Sequence, residues 1–387
     1  MRRRVLARGR AACTCAVIAA GIAGCTSSSA ANSTVAVSGN QLTLYVSAAP
    51  TDQPQVAQDV LDAERLAFLK GPTRVGQLTI RLATVRSSTI SAQARVVIQD
   101  KTAIAYLGEV VPQSSYQSIG ITNALDILQV SPTDTALDLT QATPAVPNAP
   151  DSFYQSLSTY KQTFARVVPT TADEAKAQVQ EMKALGVTKL YVGSDGGPYG
   201  AAIAYSLKQD AGTGGLTVVG SPASADGVFY GSDSPAAAAR FFNGVAGSNP
   251  SAKLFGASAL DAPSFVSALS PSVKNLYVSV PGFLTADLSP AGRAFVSAFT
   301  AAYDHSPAPQ AIFGYEAMAA VLSVLKEAGA AANNRTTVVK DFFSIKNRQS
   351  VLGTYSINST GDTSIAPFVF TRLKGGQLVP VTFVSVG

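Results

Sequence analysis

The sequence predicts an α/β protein built on parallel sheets, and three observations carry that expectation. Short apolar, β-branched runs recur along the chain. Segments of helical periodicity lie between many of them. One unit, 171–193, shows helix, stop and strand in order. Helix alternating with strand is the pattern of parallel sheets, because each parallel strand must be reached through a crossover connection. Length sets the number of lobes: 387 residues exceed one small core and suit two globular lobes.

Strands are expected at 42–46, 78–82, 103–107, 127–130, 164–168, 189–193, 216–219, 228–230, 253–255 and 276–280. The clearest helix is 171–185. Thr171-Ala172-Asp173-Glu174 reads as a capping box that satisfies free amides at the helix start. Ala175, Val179 and Met182 then fall on one face, and Gly186 supplies a stop before the buried strand 189–193. In parallel α/β sheets ligands bind at loops off the carboxyl ends of strands. The loops of interest are therefore 108–116, 131–136, 194–200, 231–235 and 256–262.

Composition excludes several classes. Hydrophobic residues make up 47% and charged residues 14%, which rules out a disordered chain. The formal charge of +5 is local. Five of the 29 basic residues (Arg2, Arg3, Arg4, Arg8, Arg10) precede Cys25 and no acidic residue does, which leaves 24 against 24. With no basic cluster downstream, no nucleic-acid partner is expected. All three cysteines (Cys13, Cys15, Cys25) lie in the first 25 residues, so the folded part has neither a disulfide framework nor a thiolate metal site.

The amino terminus reads as an address. An Arg-rich start precedes an apolar run, 11–23, too short for a bilayer span of about 20 residues. It ends in Ile22-Ala23-Gly24-Cys25, which resembles the lipobox of bacterial lipoproteins. That resemblance implies a lipoprotein signal peptide, 1–25, ending at a lipidated Cys25 that becomes the new amino terminus, and anchoring at the outer face of the bacterial cytoplasmic membrane or in the periplasm. The alternative is an ordinary secretory signal with a chance cysteine. Residues 26–39, rich in Ser, Ala and Thr, read as a flexible tether.

Catalytic motifs find little support. His305, the single histidine, sits in the polar turn Asp304-His305-Ser306-Pro307. Gly256-Ala257-Ser258-Ala259-Leu260 approaches the G-x-S-x-G elbow but lacks its last glycine. The glycine-rich stretch 193–200 matches neither a dinucleotide nor a P-loop fingerprint. Carboxylates are scattered, with no tight pair for acid–base work. The expectation is a binding protein, not an enzyme, with no metal and no cofactor.

Residues at the strand-end loops resemble the type I periplasmic binding proteins, nearest the branched-chain amino-acid-type solute-binding lipoproteins of ABC importers. Residues 103–108 look like that family's strand into the first binding loop. Residues 126–135 resemble its "SP.aT" segment, and 186–200 its second-lobe unit ending in Pro198-Tyr199-Gly200. Residues 313–317 resemble its "GYDA" helix, and 353–357 with Gly361-Asp362 its C-terminal hairpin. The resemblance implies two Rossmann-like lobes with parallel-sheet cores joined by a three-crossing hinge, the type I periplasmic binding fold. Lobe 1 is expected from 40–160 plus 281–354, and lobe 2 from 161–280 plus 355–387.

It further implies a ligand held between lobes. Thr133 and Thr135 match positions that receive a ligand carboxylate, though Thr133-Asp134-Thr135 could equally cap a turn. Gln113 and Ser114 stand for the family's serine-rich loop. Tyr199 matches a second-lobe tyrosine, with packing on its own helix as the alternative. The second-lobe carboxylate that meets a ligand ammonium looks replaced by Ser258. Asp233 is a substitute candidate or a helix N-cap, and one second-lobe helix between 220 and 228 looks missing. The function implied is capture of an amino acid or related small polar solute for an ABC transporter permease. The alternative is a sensory or interaction lipoprotein with a degenerate cleft.

Overall fold

The computed structural model describes residues 36–51, 53–154 and 162–386. The expected signal segment and lipidation at Cys25 lie outside the described residues. β1 (Gln41–Ser47) leads through α1 (Pro54–Lys70), the two-residue β2 (Arg74–Val75) and β3 (Leu78–Val85) to α2 (Ile90–Gln99). β4 (Ala103–Leu107), α3 (Ile119–Asn123), β5 (Leu128–Ser131) and β6 (Phe164–Arg166) follow. These strands form one sheet in the order β2-β3-β1-β4-β5-β6, parallel except for β2. The central strand β4 is buried along its whole length, as expected of a strand covered on both faces.

The chain then crosses to a second sheet. α4 (Thr171–Ala184), β7 (Lys189–Ser194), α5 (Pro198–Thr213), β8 (Thr217–Val218) and β9 (Gly227–Gly231) come first. α6 (Pro235–Ser248), β10 (Lys253–Gly256), α7 (Pro263–Ser267) and β11 (Leu276–Pro281) complete this pass. Between β8 and β9 there is only a 3-10 turn, Pro222–Ser224, where the sequence had looked a helix short.

A second crossing returns the chain to the first core through α8 (Pro290–Tyr303), α9 (Ala311–Ala328), α10 (Arg335–Phe343) and the hairpin β12 (Arg348–Ser350) and β13 (Gly353–Tyr355). A third sends β14 (Pro367–Lys374) and β15 (Gln377–Ser385) into the second sheet as antiparallel edge strands. Its order is β15-β14-β11-β10-β9-β7-β8. Each expected strand run contains a strand. β14 and β15 were not expected, although the Gly375-Gly376 turn between them, both at positive φ, is a hairpin signal.

Residues 161–280 with 355–387 were expected to form most of lobe 2; β6, at the start of that range, pairs in parallel with β5, so its backbone belongs to the first sheet. Crossing begins after it.

The cores follow the sheets. Leu42, Leu44, Ile104 and Leu107 pack with Phe313, Val321 and Leu325 of α9 in one cluster. α1 lies so close to α9 that a Cβ on Gly314 would meet the Val60 carbonyl oxygen at 2.7 Å. Leu190, Phe229, Phe255 and Ile203 centre the second cluster.

The hinge is pinned by Arg166, which is fully buried. Its Nε meets Asp362 Oδ1 at 2.8 Å, its Nη1 donates to the carbonyls of Asp134 and Ala136, and its Nη2 donates to Thr140 Oγ1. Asp362 lies on the third crossing and also accepts from Thr140 and Gln141. Gly361 beside it has φ +88°, and a Cβ there would strike the Phe164 carbonyl oxygen at 2.4 Å.

Candidate functional site

In the first sheet the strand order reverses between β1 and β4, and the loops leaving those two strands open a crevice at their carboxyl ends. Thr51 and Gln53 follow β1, Val110, Pro112 and Gln113 follow β4, and Thr133 and Thr135 follow β5. They face Ser258 and Asp261, which follow β10, and Val280 and Pro281 of β11. Gln310, the residue before α9, completes the rim. The cleft is nearly shut, with a cavity volume of about 30 Å³. That is space for one or two water molecules.

The first-lobe wall is held by its own hydrogen bonds. Gln113 Nε2 donates to Thr135 Oγ1 at 3.1 Å. The Thr133 hydroxyl donates to the Glu109 carbonyl at 2.8 Å, so it is already engaged. Asp134, fully buried, accepts from the amides of Ser114 and Ser115 at 3.0 and 2.8 Å through Oδ2, and from Ala136 at 3.3 Å through Oδ1. Ser114 turns its hydroxyl to the Val111 carbonyl and does not line the cleft, contrary to expectation, because its amide is fixed by Asp134.

The second-lobe wall is built around a carboxylate that the sequence misassigned. Glu174 was read as the closing residue of a capping box on Thr171. The cap is instead Thr170, whose hydroxyl accepts from the Asp173 amide. The Thr171 hydroxyl oxygen instead accepts from the Leu137 amide at 3.2 Å. Glu174 is thereby freed to point inward, fully buried. It accepts from Ser258 N at 2.6 Å, Ser258 Oγ at 2.9 Å and Ser279 Oγ. Burial pushes its carboxyl up to about 7, against the pull of those donors.

Tyr199 is buried beside this group. Its hydroxyl lies 3.5 Å from Ser258 Oγ and 3.4 Å from the Ala259 amide, and it meets Thr135 across the cleft. Burial holds its phenol well above the ordinary value. Asp261, three residues beyond Ser258, brings a carboxylate to the second-lobe wall that the sequence reading took to be lost. Gln310 Nε2 approaches its Oδ2 at 3.4 Å, and Gln53 Nε2 donates to its carbonyl. Burial raises its carboxyl to about 6.

The expected site residues thus divide. Gln113, Thr133, Thr135 and Ser258 share the cleft, and Tyr199 touches Thr135 and Ser258. Asp233 does not line it. It is exposed, and Ser234 rather than Asp233 caps α6. Glu174, Asp261, Gln53 and Gln310 were missed. Asp261 lay on a loop already singled out for inspection. Gln53 and Gln310 carry no local signal, since they enter the cleft only through the fold. His305 pairs with the buried Asp59 at 2.9 Å, away from the cleft lining.

The comparisons with known proteins agree with this architecture. Residues 222–377 match a family model described as periplasmic binding protein. No curated protein matches. The leucine-binding protein LivK of Thermotoga maritima superposes with a TM-score of 0.67 at 16% identity, over 89% of this chain and 99% of that one. An ABC transporter substrate-binding protein of Desulfitobacterium hafniense, solved with Leu, gives 0.69 at 17% identity, over 88% and 100%. A solute-binding protein of an ABC transporter from R. palustris, solved with benzoate, gives 0.63 at 17% identity, over 90% and 97%. With two sheets, three crossings and a cleft at the strand ends, the chain shares the fold of these substrate-binding proteins, the type I periplasmic binding fold.

Proposed function

We propose that the chain is an extracytoplasmic substrate-binding lipoprotein that captures a small solute between its lobes for an ABC importer. One observation carries this reading: polar side chains from both lobes converge on one cleft at strand carboxyl ends, Gln113 and Thr135 on one side, Ser258 and Asp261 on the other. A ligand touching both walls stabilises the shut state by mass action. The solved structures named for leucine and benzoate support a small organic molecule as the solute. Lobe 1 comprises β1–β6 with α8–α10, and lobe 2 the second sheet with its helices. Cys25 supplies the anchor.

The role is binding without catalysis. Ser258 and Glu174 form a hydroxyl–carboxylate pair, but the same carboxylate holds the Ser258 amide, so the pair pins the loop. A second reading, a sensory or interaction protein with a closed cleft, is favoured by the Gln53 and Gln310 contacts to Asp261 that already join the lobes.

The test is a thermal-shift screen of the mature protein against amino acids, amines, amides, sugars and small acids. A solute at a hundred times its Kd should stabilise by about 2.7 kcal/mol. Thr135→Val should then weaken that solute about tenfold. A screen in which no solute moves the melting temperature transfers the case to the second reading. Cys25→Ser should release the protein from membranes, and unchanged membrane fractionation removes the anchor.

A further inference from the structure

Solute recognition depends on which hydrogen-bonding groups the shut cleft leaves open. On the first-lobe wall the amide donors best placed for an anion are occupied. Asp134 takes those of Ser114, Ser115 and Ala136, and Thr171 Oγ1 takes that of Leu137. Asp134, itself outside the cleft lining, therefore leaves none of these amides open behind the first-lobe wall.

The groups left open are acceptors. The side-chain carbonyl oxygens of Gln113 and Gln310 are buried and find no partner among the described residues. Their amide nitrogens are committed, to Thr135 and to Asp261. The Asp261 carboxylate completes the set, with the 3.4 Å contact from Gln310 as its side-chain partner. Among the described residues lining the cleft there is no Lys, Arg or His. An anion entering here would meet Asp261 and two carbonyl oxygens with no compensating cation. A donor-rich cation would satisfy all three.

Resting on the solute-capture reading above, we propose that the cleft binds a small organic cation lacking a carboxylate, such as a primary amine, and discriminates against α-amino acids. Asp261 receives the ammonium, and the Gln113 and Gln310 carbonyls accept its remaining hydrogens.

Matched probes test it. 3-Methylbutylamine, leucine and 4-methylpentanoate share a branched carbon chain and differ in carrying the amine, both groups, or the carboxylate. Ethylamine, alanine and propionate form a shorter set. Calorimetry on the mature protein should find the amines binding at least about tenfold more tightly than the amino acids, and the acids not binding. Asp261→Asn, close in shape, should weaken the amines about ten- to hundredfold. Amino acids or acids outbinding the amines, or a neutral solute alone binding, overturns the cation proposal and leaves solute capture standing. Absence of binding by every class in the wider screen overturns both.

Discussion

The two walls of the cleft are built on opposite principles. The first-lobe wall is closed on itself. Asp134 gathers the amides of its own loops, Thr133 is spent on the Glu109 carbonyl, and Arg166 clamps the carbonyls of Asp134 and Ala136 from behind. The second-lobe wall instead carries two carboxyls raised by burial, Glu174 to about 7 and Asp261 to about 6. One wall is a rigid template and the other is titratable. In the cleft lining, ligand charge should therefore act through Asp261 of the second lobe, whereas mutations at the first-lobe clamp should act on stability.

The largest test strikes the template. Arg166 is fully buried and paired with an almost fully buried Asp362. Replacing one partner leaves the other charge without compensation, which costs about 3–5 kcal/mol. Arg166→Met should lower unfolding stability by that amount in urea titrations. A loss below about 1 kcal/mol would show that the hinge does not depend on this clamp. Asp362→Asn keeps the shape and most acceptors and should cost less.

A smaller effect belongs to the titratable wall. Glu174 has a folded value of about 7 against an ordinary 4.5. The folded state therefore keeps a proton that the unfolded chain releases first. The stability this gives is full below about pH 4.5 and is lost as pH rises through about 7. Between pH 5 and 8 the loss from this group is about 2–3 kcal/mol. Glu174→Gln cannot ionise, so its stability should fall less over that range, and at pH 8 it should equal or exceed the parent. Parallel pH–stability curves for the two proteins would remove Glu174 as the titrating group. Asp261 acts in the same direction over a lower window, between about 3.8 and 6.

How much of this was legible depended on range. Buried parallel strands such as 103–107 announce themselves as unbroken apolar runs, because both faces are covered. β6 was found as a strand, but its pairing with β5 was not, since pairing partners are not written locally. Thr135, Gln113 and Ser258 could be placed because strand-end loops are where such sheets bind. Glu174 could not. A Thr-x-x-Glu pattern opening a helix is a sound local reason to expect a cap, and only the tertiary partners Ser258 and Ser279 reveal a buried carboxylate. Asp134 likewise reads as an ordinary loop residue until its three amide partners are seen.

The smallest expected effect separates two residues that the sequence treats alike. Thr133 and Thr135 both line the cleft, two positions apart on one loop. The Thr133 hydroxyl is committed to the Glu109 carbonyl at 2.8 Å, and that carbonyl also accepts from Ser131 at 3.2 Å. Removing the Thr133 hydroxyl therefore orphans nothing, and Thr133→Val should cost no more than about 1 kcal/mol. It should also leave solute affinity within about twofold, since a hydroxyl bonded to its own backbone has nothing further to donate. Thr135 differs because its oxygen accepts from Gln113 and meets Tyr199 of the opposite wall. Its loss disturbs both the Gln113 amide that faces the solute and the contact across the cleft. Isothermal titration of the two valine variants with one solute reads the contrast directly. Equal weakening in both would mean that the first-lobe wall is not closed on itself, and that Thr133 rotates to meet the solute when the lobes open.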